Sequence, residues 1–213
     1  MAHTYFGYGS NLHQQDLQRW AAGRGREWTG RFLGRAELPD HQLNFHYYSS
    51  SRSGGALNIA HRLGSLLVGG LFEVSDDDLE LLDRKEGAPR CYRRKTIRVW
   101  WEGQWTEAIT YEVTPEYERE FCPPTPEYLQ IVQQAYEQLG IPAESLHLAA
   151  QAMHQPCCGL FVYGTLLRDE PLHSCLSPWK ASCCLPAEVQ GDAKVAEAYL
   201  GSIDDVASLR RQP

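Results

Sequence analysis

The chain has 213 residues, 43% of them hydrophobic, with 27 Asp and Glu against 20 Lys and Arg for a net charge of −7. That is enough apolar material for a packed core in one large domain or two small ones. The acidic balance argues against a surface dedicated to nucleic acid or to anionic membranes, which concentrated Lys and Arg would hold, and leaves a small molecule as the simpler partner. No apolar run approaches bilayer-spanning length and no basic-then-apolar segment precedes the first predicted strand, so the expected location is the cytoplasm, away from any membrane.

The first predicted strand, residues 3–8, breaks at Gly9-Ser10-Asn11 before a helical segment. Such a turn can hold an anion, because its N–H groups point into one concavity, although glycine also serves there for geometry alone. Strands follow around 28–37, 41–48, 56–61 and 66–74. Ser75 to Gly87 reads as a short helix, with Ser75 as N-cap, aspartates in the first turn and Gly87 as the stop. Glu86 falls at its negative end, where the helix dipole and any burial raise a carboxyl pKa toward the range of a general base. A glutamate beside a capping glycine is otherwise an ordinary solvated residue. Two strands, near 92–101 and 104–113, flank the hairpin signal Glu102-Gly103-Gln104. Helices are expected at about 126–139 and 142–153, the first opened by Thr125-Pro126 and closed by Gly140. Many strands with few helices predict an α+β chain: a mixed, largely antiparallel sheet curled into a small β-barrel with short flanking helices. The pocket is expected where the first loop meets the Glu86 helix.

Tyr5-Phe6-Gly7-Tyr8-Gly9-Ser10-Asn11-Leu12 resembles the YGSN signature of the γ-glutamylcyclotransferases, within the AIG2-like superfamily. Leu82-Asp83-Arg84-Lys85-Glu86-Gly87 resembles their LDxxEG segment, with Tyr92 following in the expected place. Gln42 to Phe45, Ala56 to Ala60 and Gly70 to Val74 are similar to the intervening strands, and the resemblance runs over roughly residues 3 to 150. It implies the same barrel fold and a reaction without a cofactor, in which the α-amine of a γ-glutamyl group attacks its own side-chain carbonyl and 5-oxoproline forms as an amine or amino acid leaves. Carried over by position, Glu86 would be the general acid/base, and Tyr5, Phe6, Gly7, Tyr8, Gly9, Ser10 and Asn11 would form the substrate loop. Gly7, Gly9 and Ser10 would lie closest to the anionic group, and Asn11 would brace the loop through local bonds. Tyr111 matches a position whose hydroxyl contacts substrate, with a tyrosine packed under a loop as the alternative, and Tyr92 reads as pocket wall. The chain departs from the pattern at Gly7, where many relatives carry alanine, and at Gly69-Gly70, where Trp-Gly is common; a missing side chain there is expected to open the pocket and alter specificity. Simpler γ-glutamyl compounds are favoured over glutathione, because glutathione-specific relatives carry YGSL. A non-catalytic carboxylate-binding module and an enzyme that removes a γ-glutamyl protecting group are the alternatives.

Phe161-Val162-Tyr163-Gly164-Thr165-Leu166-Leu167 echoes the first motif and resembles the superfamily's YGTL signature. This divides the chain into a first domain, residues 1–153, and a partial second copy, residues 157–213. The second segment shows no LDxxEG counterpart, so it is expected to be inactive: a truncated or degenerate copy, or a device for homodimer formation through an unpaired strand edge. Asp192 to Leu200 reads as helical. Seven cysteines, odd in number and unevenly spaced, favour reduced thiols. Five of them lie in the last third with His154 and His173, but without a C-x-x-C pair, and no metal is expected.

Overall fold

The structure is a computed structural model that describes residues 2–155 and, after them, residues 159–163, 166–167, 169–176, 181–186 and 196–201. The chain divides into two compact units, residues 1–61 with 67–155 and residues 62–66 with 156–213.

In the first unit β1 (Ala2–Gly7) leads through a 3-10 turn (Ser10–Leu12) into α1 (Gln14–Ala22). Two long strands follow, β2 (Arg31–Ser49) and β3 (Gly54–Ser75), then α2 (Asp76–Glu86), the hairpin β4 (Tyr92–Trp101) and β5 (Gln104–Val113), and the helices α3 (Pro126–Leu139) and α4 (Glu144–Ala150). The five strands close into a barrel in the order β1-β3-β2-β4-β5. Closure comes from a parallel contact of β1 with β5 at Tyr5 and Ile109; β1 runs antiparallel to β3, from Ala2 opposite Ser75 to Gly7 opposite Gly70. Closing the sheet in this way leaves no unpaired edge among the five strands. The expected α+β barrel is therefore the observed fold.

The strands expected at 28–37 and 41–48 are one element, β2, and those at 56–61 and 66–74 are one element, β3. Asp40 (φ 55) and Gly64 (φ 77) adopt left-handed backbone inside continuous strands, so their turn-like chemistry bends the strands rather than ending them. Between β4 and β5, Glu102 (φ 48) and Gly103 (φ 81) are both left-handed, the signature of a tight two-residue hairpin turn.

The core is built from Phe6, Leu12, Leu17, Phe45, Leu71 and Phe72, all essentially inaccessible to solvent. Helix α2 buries Leu79, Leu81 and Leu82 against it. Its start is fixed by a capping box in which Ser75 and Asp78 bond reciprocally, and Asp78 also accepts from the backbone N–H and hydroxyl of Thr29. Burial by itself would raise the Asp78 pKa, but these donors outweigh it and hold the carboxyl below its ordinary range. Its end is fixed by Gly87, whose left-handed conformation (φ 64) suits glycine.

The second unit contains β6 (Gly159–Tyr163), a 3-10 turn (His173–Leu176), β7 (Ala181–Pro186) and β8 (Ala196–Gly201), joined in an antiparallel sheet of order β6-β8-β7. Residues 196–200, expected to be helical, are strand: each pairs with β6, and an alternating Ala-Glu-Ala-Tyr-Leu run suits a two-faced strand. The rest of the expected helix, Asp192 to Val195, lies outside the described residues, as do Gly164 and Thr165 of the YGTL-like motif and the side chains of the last five cysteines.

Candidate active site

A cavity of about 570 Å³ opens where the β1 loop, the β2–β3 connection and the C-terminal end of α2 converge. Tyr5, Tyr8, Gly9, Ser10 and Asn11 line it from the loop, Glu86 from α2, and Tyr92 and Tyr111 from the hairpin. The two motifs, 75 residues apart in sequence, are joined by a hydrogen bond of 2.7 Å from the Asn11 amide nitrogen to Oε1 of Glu86. The same nitrogen donates to the Tyr5 hydroxyl at 3.0 Å, and the amide oxygen accepts from Nζ of Lys85 at 2.9 Å. Asn11 thus braces the loop through long-range partners, where local ones were expected.

Phe6 and Gly7 do not line the cavity. Strand alternation turns Phe6 into the core, where it is fully buried, and Gly7 is engaged in the ladder with Gly70. Nor do Gly69 and Gly70 open the pocket. A Cβ on Gly69 would fall 2.4 Å from the Phe6 ring, and one on Gly70 2.7 Å from Leu12, so these glycines admit neighbouring core side chains.

The loop is held from behind by its own tyrosines and by α3. Tyr8 donates to the carbonyl of Tyr111 at 2.8 Å, and Tyr136 of α3 donates to the carbonyl of Tyr8 at 2.8 Å. Tyr128, also of α3, accepts from the backbone N–H of Leu57, while Tyr92 donates to the Leu57 carbonyl. Sequence reasoning did not assign α3 to the site, although Tyr128, Val132, Ala135 and Tyr136 form the buried face of one helix, a legible pattern. Tyr111 presents its ring to the cavity; its hydroxyl donates to Asp83 at 2.7 Å and is not offered to a ligand there.

Electrostatically, buried and neutral phenols surround Glu86. Burial raises the Glu86 pKa above its ordinary value, opposed by the charge of Lys85, the Asn11 hydrogen bond and the charge of Arg52. Burial likewise raises Tyr5, Tyr8, Tyr92 and Tyr128, so the phenols remain protonated at neutral pH; at the first three Glu86 adds to the effect, and at Tyr128 Arg52 opposes it before Glu86 adds. Lys85 is pushed down to about 8 by burial, with Glu86 resisting and Arg52 reinforcing the shift. Glu86 nevertheless keeps partial access to solvent through the cavity. A carboxyl raised in this way takes up a proton more readily than a solvated one and can return it, as a general acid/base must. Beside it, the 3-10 turn bonds Leu12 N–H to Gly9 and His13 N–H to Ser10, leaving the N–H groups of Ser10 and Asn11 without partners inside the turn.

Among curated proteins no match is found. Solved structures that resemble the chain include a protein named gamma-glutamyl cyclotransferase, an uncharacterized Homo sapiens protein, loc79017, and YkqA from Bacillus subtilis. The first is 24% identical over 73% of this chain and 90% of its own, with a TM-score of 0.60. The human protein is 25% identical over 73% and 89%, with a TM-score of 0.59, and YkqA is 20% identical over 73% and 56%, with a TM-score of 0.60. The profile of the family described as "Gamma-glutamyl cyclotransferase, AIG2-like" matches residues 5–130, a span that takes in the loop, Glu86 and Tyr128. On that match, and on the barrel it shares with these structures, the chain belongs to the gamma-glutamyl cyclotransferase, AIG2-like family.

Proposed function

We propose that the protein is a γ-glutamylcyclotransferase in which Glu86 moves the protons. Ionised Glu86 takes a proton from the α-ammonium of a γ-glutamyl group. The freed amine attacks the group's own side-chain carbonyl, and the new C–N bond closes a five-membered ring. The tetrahedral intermediate then breaks its bond to the outgoing nitrogen, which receives the proton held by Glu86; the ring nitrogen gives up its second proton to Glu86, which passes it on, so that the amine departs as an ammonium. The products are 5-oxoproline and an amine or amino acid, and Glu86 ends as it began. Nucleophile and electrophile belong to one residue, so positioning supplies much of the acceleration; well-oriented intramolecular reactions reach effective molarities of about 10⁵ M or more.

The observation that carries this reading is the convergence of a burial-raised carboxyl and a strand-to-turn loop on one cavity, bridged by Asn11. The loop N–H groups are suited to the substrate's α-carboxylate, and the ring of phenols excludes bulk water from the reacting atoms. A reducing compartment such as the cytoplasm suits the chain's thiols, of which Cys91 and Cys122 are free among the described residues. A panel of γ-glutamyl amino acids, peptides and amines assayed for 5-oxoproline tests the reading. We expect turnover by the wild-type protein and a loss of about 10² or more in kcat for Glu86→Gln, the scale of a removed general acid/base. Turnover unchanged in Glu86→Gln would remove Glu86 from the reaction, and γ-glutamyl binding without 5-oxoproline release would make the protein a binding module.

A further inference from the structure

Resting on that reading, we propose that Arg52 is the side chain that recognises the α-carboxylate of the γ-glutamyl group. Arg52 stands in the short connection between β2 and β3, on the cavity wall. Its Nη2 donates to the Ser10 hydroxyl at 3.2 Å, and its guanidinium lies 4.4 Å above the centre of the Tyr128 ring. Both contacts are neutral. Among the described residues Arg52 makes no ion pair, whereas Arg31, Arg93 and Arg94 on the barrel exterior each have a carboxylate partner.

The charge balance of the cavity gives this a consequence. Lys85 and Glu86 are neighbours linked through Asn11, and Asp16, also on the cavity wall, adds its negative charge at Lys85, so these groups offset one another. The guanidinium of Arg52 acts on Glu86 through its charge alone, and its direct contacts beside the loop are neutral ones. A guanidinium has five N–H donors in a planar fork that matches a carboxylate, and here one donor is taken by a hydroxyl while the ring of Tyr128 holds the plane. Tyr128 is itself fixed by the backbone N–H of Leu57, so the stacking surface is anchored to β3. The missing partner is an anion small enough to sit between the fork and the loop.

Two carboxylates of a γ-glutamyl amino acid could supply that anion: the one on the glutamyl α-carbon and the one on the leaving amino acid. Arg52 is tied to Ser10, the loop residue whose backbone N–H is unpaired within the turn, so side chain and backbone converge on one group. That group is the one held next to the reacting amine, the α-carboxylate. The loop supplies neutral donors, and Arg52 supplies the charge that distinguishes a γ-glutamyl substrate from a γ-aminobutyryl one.

The experiment compares binding of 5-oxoproline, which retains the α-carboxylate, with 2-pyrrolidinone, the same ring without it. The wild-type protein should favour 5-oxoproline. Arg52→Gln should weaken 5-oxoproline about 10-fold or more and leave 2-pyrrolidinone unchanged, with Arg52→Lys recovering part of the loss. Equal 5-oxoproline affinity in wild type and Arg52→Gln, or no binding to the wild type, overturns the proposal. In the kinetic arm, Arg52→Gln should raise KM equally for γ-glutamylalanine and γ-glutamylmethylamide. A penalty confined to γ-glutamylalanine would assign Arg52 to the leaving group and overturn it as well. Should the wild-type protein release no 5-oxoproline from either substrate, the cyclotransferase reading fails while the binding comparison still decides the role of Arg52.

Discussion

Asn11 holds its amide in one orientation because Lys85 and Glu86 require opposite ends of it. Lys85 donates to the oxygen and Glu86 accepts from the nitrogen, so a flip of the amide would set oxygen against carboxylate and nitrogen against ammonium. Lys85 therefore acts on Glu86 twice, through its charge and through the orientation of Asn11. Its charge lowers a Glu86 pKa that burial has raised. Glu86 must be ionised to accept the α-ammonium proton, so activity falls as pH drops through that pKa. Removing Lys85 removes a stabiliser of the ionised form and raises the pKa further. Lys85→Met should accordingly move the acid limb of kcat/KM to higher pH, losing more activity at pH 6 than at pH 8; the carboxyl resonance of Glu86 should titrate upward with it. An unmoved acid limb would show that Lys85 does not act on Glu86. The other groups in electrostatic reach of Glu86, Arg52 and the phenols of Tyr5, Tyr8, Tyr47, Tyr92 and Tyr128, are unchanged in this variant. Lys85 was not legible in the sequence as a site residue, because successive positions on a helix point about 100° apart and do not ordinarily share a face. Both reach the cavity here because the helix ends at Gly87, immediately after them.

The LDxxEG spacing has a mechanical reading at the level of the helix and the sheet. Asp83 and Glu86, three residues apart, lie on neighbouring parts of α2. The Asp83 carboxylate accepts from the Tyr111 hydroxyl and takes both forks of Arg94, so it fastens α2 to β5 and β4 while Glu86 faces the cavity. The Tyr111 hydroxyl is buried, and its pKa is raised by that burial and by Asp83. Asp83→Ala leaves this hydroxyl only its long 3.4 Å bond to the Leu79 carbonyl, and we expect a loss of about 1–3 kcal/mol in unfolding free energy, with the partly exposed Arg94 pair adding little. Tyr111→Phe in the Asp83→Ala background removes the poorly paired group, so the double variant should be less destabilised than the two single variants sum to. Simple additivity in denaturant unfolding would show that the two side chains are not coupled. The elements themselves were largely legible: caps and hairpin chemistry located α2, α3 and the β4–β5 turn, because Ser75, Thr125, Gly87, Gly140 and Gly103 each serve a local backbone need. The gaps expected at 38–40 and 62–65 hold Pro39-Asp40 and Gly64, whose chemistry ends strands elsewhere, and only pairing across the barrel keeps β2 and β3 continuous. The role of Asp83 lay beyond reach, since its partners come from strands whose register no local pattern specifies.

For the molecule as a whole, the barrel closes without the C-terminal segment. Its five strands lie within residues 2–113 and its four helices within 14–150. Every residue that lines the candidate site lies between Tyr5 and Tyr128. The natural end of this unit is Gln155, whose backbone N–H donates to Gln42, the side chain that also meets His154. A domain of about 150 residues buries roughly 70% of the surface its unfolded chain exposes, which suffices for independent folding. We therefore expect a chain ending at Gln155 to unfold in a single cooperative transition and to release 5-oxoproline from γ-glutamyl substrates at the rate of the 213-residue chain. Thermal unfolding followed by two probes, alongside the 5-oxoproline assay, checks both parts. Non-coincident transitions, or a folded but inactive fragment, would give residues 156–213 an essential role. Retention of both properties would locate fold and chemistry together in the barrel, because strand pairing, the Asn11 bridge and the α3 tyrosines that brace the loop are all contained in the retained chain.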